Sequence, residues 1–258
     1  MFVKWGFIIA SCQICEHTFV KNQIIPSKLE ELYTNSEVDK QFQKRKEAGD
    51  LFKYSILLYA KYLQLLKEKN IQNLMLLDVG AGRGDFIGLC DEICNYELHA
   101  MEFSESSADY LISIVGKNNF YRTAISNTNF SGKKFGVITM WGVLEHINNP
   151  INELIKCKEI LDDDGKILIL VPNLYSRAFM ILGITVPTLN PRSHLQYFSK
   201  DSMEFLCNIV GLKIEEYYQE LPVIDLMYDY IDYNEDFIKD ILDNNESYYS
   251  VYLLSHNN

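Results

Sequence analysis

Basic charge is in short supply. The chain has 24 Lys and Arg against 35 Asp and Glu, a net charge of −11, and a sequence pI of about 4.9. That balance excludes a general nucleic-acid binder, which needs a basic face to neutralise phosphates. Cysteine is also sparse: six residues in 258, at positions 12, 15, 90, 94, 157 and 207. A disulfide-stapled scaffold would carry far more for its length, so reduced thiols in a cytoplasmic protein are expected. Long apolar runs are missing. The longest candidate, Ala178 to Leu189, is interrupted by Gly183 and Pro187, and no uncharged run approaches the roughly 18 residues of a membrane helix. Ile9-Ala10-Ser11-Cys12 has the look of a lipoprotein cleavage box. However, the apolar stretch before it, Trp5 to Ala10, is shorter than the roughly 7–15 residues of a signal-peptide core, so neither secretion nor membrane insertion is expected. There is no internal repeat and no low-complexity linker.

What the chain has is a large apolar share, 48%, with an ordinary 23% charged. It buries a core and is not globally disordered. At about 150 residues per domain, 258 residues allow one large domain with a small addition. Charge is unevenly spread. Residues 1–70 carry 11 Lys and Arg against 8 acids, whereas 214–246 hold 11 acids and a single lysine. The expected organisation is an N-terminal hairpin and helical cover over 1–70, then a sheet domain over 71–258 with an acidic insertion at 219–246.

Residues 5–20 read as a hairpin, with Cys12-Gln13-Ile14-Cys15 as its knuckle. Residues 27–69 have helical texture, with Ser27 and Glu30 as a capping box and Gly49 as a divider. Phe52, Ile56, Tyr59, Leu63 and Leu66 repeat at helical spacing and form an apolar face. From Leu74 the texture changes. Leu74 to Val79 is an apolar run fit for a buried parallel strand. Further strands are expected at Glu97–Phe103, Asn119–Ile125, Phe135–Trp141 and Lys166–Val171. Helices lie between them, with Ser104 and Ser199 as N-caps. Leu212–Tyr218 and Tyr248–Leu254 supply two final strands. The alternation predicts an α/β fold: a doubly wound parallel sheet with helices on both faces.

The most informative run is Asp78-Val79-Gly80-Ala81-Gly82-Arg83-Gly84-Asp85. It joins the first buried strand to a helix, where glycines permit a sharp turn and close approach of a ligand to the main chain. The spacing is G-x-G-x-G. A dinucleotide fingerprint would put Gly or Ala at position 85, and an Asp at that helix start repels a pyrophosphate. A carboxylate suits a cationic ligand. Glu102 ends the second strand, where an acid accepts hydrogen bonds from the two ribose hydroxyls of a nucleoside.

These residues resemble motif I of the class I S-adenosylmethionine-dependent methyltransferases. The resemblance continues in order along roughly residues 74–218. Glu102-Phe103-Ser104 matches the acidic ribose position. Phe135 to Ile147 resembles the "FDVI…VLEHI" stretch of the ubiquinone-methyltransferase-like subgroup. Ile160 through Asn173 resembles its "LKPGG…PN" strand, and His194-Leu195-Gln196-Tyr197-Phe198-Ser199 its "HLxYF[ST]" segment. The joint order is specific. The family's fold is a Rossmann-like seven-stranded sheet with an antiparallel last strand, and its cofactor is S-adenosylmethionine. The resemblance implies that Gly80, Ala81 and Gly82 approach the methionine part of the cofactor and that Asp78 sits by its ammonium. Glu102 would hold the ribose, and Phe103, Ala124 and Ile125 would flank adenine. Met140, Trp141 and Gly142 would line the cofactor near the transferred methyl. Thr123 stands where many relatives place an Asp.

Methyl transfer from a sulfonium needs positioning and desolvation more than activation of the donor, but a hydroxyl acceptor gains from a general base. His146, beside Glu145 after the fourth strand, is one candidate. His194 with Tyr197 is the other. In ubiquinone-type relatives an E-x-x-E-H arrangement binds a divalent cation. Gly142 replaces its first acid here, so no metal is expected at the site. Cys12 and Cys15 resemble the second half of a four-cysteine knuckle found before this domain in sugar and natural-product methyltransferases. With its first half missing, from a late start or from decay, zinc is not expected there either. The acidic stretch, with Tyr228, Tyr230, Tyr233 and Phe237, reads as a surface helix or as a lid or dimer contact, which keeps a homodimer open. The resemblance implies O-methylation of a small molecule such as a sugar, a nucleotide-sugar or a surface-polysaccharide precursor, or transfer to a phosphoryl-type oxygen. The alternatives are a non-catalytic subunit of the same fold that scaffolds a partner enzyme, and an NAD-dependent oxidoreductase, which the glycine spacing disfavours.

Overall fold

The computed structural model describes residues 1–34, 50–221 and 232–257. Gly49, Tyr228 and Tyr230 lie outside the described residues. The N-terminal strands are β1 (Phe2–Lys4), β2 (Phe7–Ser11) and β3 (Thr18–Val20). Helices α1 (Pro26–Thr34) and α2 (Asp50–Glu68) follow. Helix α1 already includes Pro26, whose ring suits the first turn, so Ser27 lies inside it instead of capping it. The alternating part then runs β4 (Met75–Val79), α3 (Asp85–Ile93), β5 (Glu97–Met101), α4 (Glu105–Val115), β6 (Phe120–Tyr121), β7 (Phe135–Trp141), α5 (Pro150–Ile160), β8 (Leu161–Pro172), α6 (Arg177–Leu182) and β9 (Gln196–Tyr197). It ends with α7 (Lys200–Val210), β10 (Leu212–Glu220), α8 (Glu235–Asp243) and β11 (Tyr249–His256).

Seven strands form one sheet in the order β10-β11-β8-β7-β4-β5-β6. Strand β11 is antiparallel to both neighbours, whereas β8, β7, β4, β5 and β6 are mutually parallel. This is the expected Rossmann-like sheet with an antiparallel last strand. Its central strands are apolar on both faces because helices cover both. One face packs Ile138, Met140 and Ile169 with Leu154 of α5 and Met203 of α7. The other packs Leu76 and Val137 with Leu63 of α2 and Ile87 of α3. Strand β6 is shorter than expected. At the sheet edge only Phe120 and Tyr121 keep a partner, and the chain then turns into a 3-10 turn at Ile125–Asn127.

A second, four-stranded sheet has the order β1-β2-β3-β9. The expected hairpin is therefore larger than β2 and β3, and it recruits Gln196 and Tyr197 from a distant loop. The acidic stretch is tied down in part. Glu220 belongs to β10 and accepts a hydrogen bond from the Tyr62 hydroxyl at 2.6 Å. Ile241 of α8 is buried, and Arg177 pairs with Asp240 at 2.6 Å and also with Glu246. Tyr233 packs on Phe237.

Candidate active site

The carboxyl ends of β4, β5 and β7 converge, the usual ligand edge of an open α/β sheet. In the parallel register Asp78 stands between Ala100 and Thr139. Thr139 Oγ1 accordingly donates to Asp78 Oδ1 at 2.6 Å. Burial pushes the Asp78 carboxyl up to about 7, against the Thr139 hydrogen bond and with help from the nearby charge of Glu102.

The turn after β4 needs its glycines. Gly80 and Gly82 have φ of 69° and 54°, a region costly for residues with a Cβ. A Cβ on Gly80 would also lie 2.6 Å from Val143 Cγ2, whereas beside Gly82 the space is open. Ala81 N donates to Met101 O at 2.9 Å, which fixes the turn to β5. Glu102 Oε2 accepts from the Gly82 amide at 2.7 Å, and Oε1 from the Ser104 amide at 2.8 Å. Phe103, next to Glu102, and Ala124, after β6, are half-buried, and Ile125 is fully in the core.

At the end of β7, Met140 faces the core and is fully buried, whereas Trp141 points to the opposite face. Trp141 meets Tyr59 edge-on at 4.8 Å and Phe86 at 5.1 Å between ring centroids. Its indole Nε1 is buried without a hydrogen-bond partner among the described residues. The Tyr59 hydroxyl is pushed well above its ordinary value, by burial first and then by the charges of Asp78 and Asp85. The sequence places Tyr59 only on an apolar helix face. That its hydroxyl senses the Asp78 carboxylate depends on how α2 docks, which helical spacing does not encode.

Glu145 and His146 sit in a 3-10 turn just past β7. The loop before β9 reaches them through Leu195 N, which donates to Glu145 O at 2.7 Å. His146 and His194 meet edge to face with centroids 4.7 Å apart. His146 Nδ1 lies 2.8 Å from Ser193 O, and His194 Nδ1 lies 2.7 Å from Thr188 O. A carbonyl only accepts, so both Nδ1 atoms carry the proton and both Nε2 atoms carry the lone pair. Burial lowers the pKa of both rings. For His146, to about 3, repulsion from His194 adds to the effect. Glu145 is buried, its carboxyl is pushed up to about 8 by desolvation, and its Oε2 has no hydrogen-bond partner among the described residues. A Cβ on Gly142, which has a φ of 67°, would lie 3.4 Å from Glu145 Oε1. Tyr197 packs with Ile9, Val20 and Ala178 in the N-terminal cluster and lines a small cavity together with His194. Cys12 and Cys15 are half-exposed free thiols. Among the described residues, the cluster whose ligand atoms converge is Glu145, His146 and His194, all within 4.8 Å of one another.

The model of the family described as "Methyltransferase domain" matches residues 51–217, well over half of the chain. The chain belongs to this family. The methyltransferase is 38% identical over 52 residues to a ubiquinone biosynthesis O-methyltransferase from Glaesserella parasuis serovar 5 (strain SH0165), across 20% of this chain. It spans about a fifth (22%) of the length of that curated relative. Its fold is similar to that of magnesium protoporphyrin IX methyltransferase from Synechocystis PCC 6803 with bound SAH. The TM-score is 0.59 at 12% identity, covering 89% of this chain and 99% of that one. An S-adenosylmethionine-dependent methyltransferase from Clostridium acetobutylicum ATCC 824 gives a TM-score of 0.56 at 13% identity, with 90% and 99% covered.

The residues at the sheet edge fit S-adenosylmethionine, the cofactor that the sequence resemblance implies. The turn at Gly80 is a cradle that a Cβ would fill, Gly82 leaves its backbone open, and a carboxylate stands at the end of β5. Among the described residues, no helix is long and apolar enough to cross a membrane.

Proposed function

We propose that this methyltransferase O-methylates a small hydroxylated molecule and that the acceptor oxygen is received at Glu145, His146 and His194. A sugar, a nucleotide-sugar or a surface-polysaccharide precursor is the substrate class in view. The observation that carries the reading is the pair of Nε2 lone pairs on neutral rings, fixed by the carbonyls of Ser193 and Thr188. A hydroxyl must lose its proton as it gains a methyl group, and a cluster that can take up that proton or its charge suits it. The sugar class rests on the likeness of residues 12–33 to the segment preceding the domain in sugar and natural-product methyltransferases.

S-adenosylmethionine, when bound, supplies an electrophilic methyl group on a sulfonium. The chain's own residues do the rest. Glu102 would accept from the ribose hydroxyls, its two oxygens already oriented by Gly82 and Ser104. Asp78 would attract the cofactor's ammonium and become charged in its presence. Gly80, Ala81 and Gly82 would let the methionine part lie on the backbone. Phe103, Ala124 and Ile125 would bound the adenine. Trp141, Tyr59 and Phe86 form an apolar wall that excludes water near Asp78. Met140 packs in the core on the opposite face of the sheet from that wall, and Gly142 keeps clear the space beside Glu145 Oε1. Tyr197 would shape the acceptor side through the N-terminal sheet.

The test is a panel of hydroxylated acceptors incubated with labelled methyl donor. Label on a sugar or nucleotide-sugar oxygen, with kcat lost on the order of 100-fold or more in His194→Ala, supports the reading. Transfer to nitrogen or carbon acceptors only, or an unaffected His194→Ala, contradicts it.

A further inference from the structure

We infer that Cys94 is a thiol-modification site, set in a groove where Lys67 selects an acidic low-molecular-weight disulfide as the reaction partner. The inference is separate from the methyl-transfer reading, because the groove opens at the other end of the sheet.

Three observations carry it. The first is the groove itself. Its volume is 390 Å³, and Lys67, Ile71, Leu74, Cys94 and Tyr96 are among the residues that line it. Leu74 precedes β4 and Tyr96 precedes β5, so the groove lies at the amino ends of the parallel strands. Helix α3 starts beside the glycine turn at Asp85 and ends at Ile93. Its nine residues put about 13 Å between the two places.

The second is a pair of thiols with different surroundings. Cys90 and Cys94 lie one turn apart at the end of α3, where Cys94 N donates to Cys90 O at 2.9 Å. Cys90 is fully buried, whereas Cys94 is half-buried and borders the groove. The inner thiol donates a hydrogen bond to the outer sulfur. That bond, helped by the charge of Lys67 and opposed by partial burial, pulls the Cys94 thiol down to about 7. The same bond, together with burial, pushes Cys90 up. Near neutral pH the outer sulfur is therefore the nucleophile of the pair, and it is the one that a solute can reach.

The third is charge. Lys67 Nζ donates to Ile93 O at 3.1 Å, which puts the ammonium at the carbonyl end of α3 beside Cys94. There it offsets the negative helix end, which on its own disfavours a thiolate. Among the described residues, no acid lines the groove, although the chain carries a net charge of −11. A carboxylate-bearing solute thus meets one cation and no like charge on the groove wall. Ile71, Leu74 and Tyr96 offer apolar surface to the rest of it.

The step is thiol–disulfide exchange. The Cys94 thiolate attacks one sulfur of the disulfide R–S–S–R. A Cys94–S–S–R bond forms as the S–S bond of the solute breaks, and the departing R–S⁻ takes up the proton that Cys94 gave to solvent. Cys94 is oxidised, half of the solute is reduced to R–SH, and no other oxidant enters. Excess R–SH reverses the step.

The full chain carrying Cys12→Ser and Cys15→Ser leaves Cys94 as the one thiol that is not buried. It is incubated at neutral pH with oxidised glutathione, which is acidic, or with hydroxyethyl disulfide, which is neutral. Uptake is followed by intact mass and peptide mapping. The expected result is one glutathionyl group per chain, mapped to Cys94, released by reductant and absent after Cys94→Ser. In Lys67→Met the ratio of the two rates, acidic over neutral, should fall about fivefold, as a half-exposed ion pair permits. Any change in the thiolate fraction cancels in that ratio. Lys67→Arg should keep it. A cooperative thermal melt shows that each variant is folded. No adduct on the chain, an adduct on a buried cysteine with Cys94 left free, or an unchanged rate ratio in Lys67→Met would overturn the inference.

Discussion

Glu102 Oε2 lies 2.7 Å from the Gly82 amide, so the acid that ends β5 is tied directly to the turn that follows β4. The two parts of the proposed cofactor cradle come from neighbouring parallel strands in register, Val79 opposite Met101. Each holds the other in place before any ligand arrives, which lowers the ordering cost of binding.

Gly80→Ala should damage both stability and binding. Its φ of 69° disfavours any Cβ, and that Cβ would meet Val143 Cγ2 at 2.6 Å. The backbone strain alone is about 1–2 kcal/mol. A thermal melt should show a drop of several degrees, with SAH affinity reduced as well. Gly82→Ala has open space around it and should lower stability less.

Asp78 makes stability and binding depend on pH in opposite senses. Its carboxyl is raised from an ordinary 3.8 to about 7 in the folded chain. The folded state thus binds a proton that the unfolded chain has lost, and Asp78 takes stability away as pH rises from about 4 through 7. The cofactor's ammonium favours the charged form, so binding should release a proton in that window. The gain in melting temperature from SAH should be larger at pH 8 than at pH 6. Asp78→Asn should flatten that difference. An equal gain at both pH values in the unaltered chain would speak against the contact.

Tyr59 tests the wall beside Asp78. Tyr59→Phe keeps the ring against Trp141 at 4.8 Å and Phe86 at 5.3 Å and should melt within a few degrees of the parent. Tyr59→Ala removes a half-buried aromatic and should cost about 3 kcal/mol or more, measured by urea unfolding. SAH affinity should follow the same order.

Arg177 holds α8 through Asp240 and Glu246 and lies over the Phe237 ring at 5.4 Å. Arg177→Ala should lower stability by about 1 kcal/mol, as partly exposed ion pairs do, and leave SAH affinity unchanged. A loss of cofactor binding would mean that the acidic segment belongs to the cofactor site.

Much of the fold was legible because parallel strands buried on both faces read as apolar runs, and Leu74 to Val79 and Phe135 to Trp141 are such runs. The glycine turn was legible because its backbone needs are local. The short β6 was not, since an edge strand ends where its partner ends, and Asn119 to Ile125 does not record that. The pairing of Thr18 and Phe19 with Tyr197 and Gln196 joins residues far apart in sequence, and no period reveals it. His146 and His194 could each be singled out as candidates. That they touch, and that each Nδ1 is committed to a carbonyl, are facts of the loop's path. Ser199 was read correctly as a cap, and its partner in the capping box is Ser202. Glu220, expected in a surface insertion, instead ends β10 and is bound to Tyr62 of α2.

The central claim is that the turn at Gly80–Gly82 and the acid Glu102 hold S-adenosylmethionine, and calorimetric titration with SAH tests it most directly. The account predicts one SAH per unaltered chain. In Glu102→Ala it predicts an affinity weaker by on the order of 100-fold, because two hydrogen bonds to a charged acceptor are lost. No binding to the unaltered chain at millimolar SAH, or equal affinity in Glu102→Ala, would contradict it.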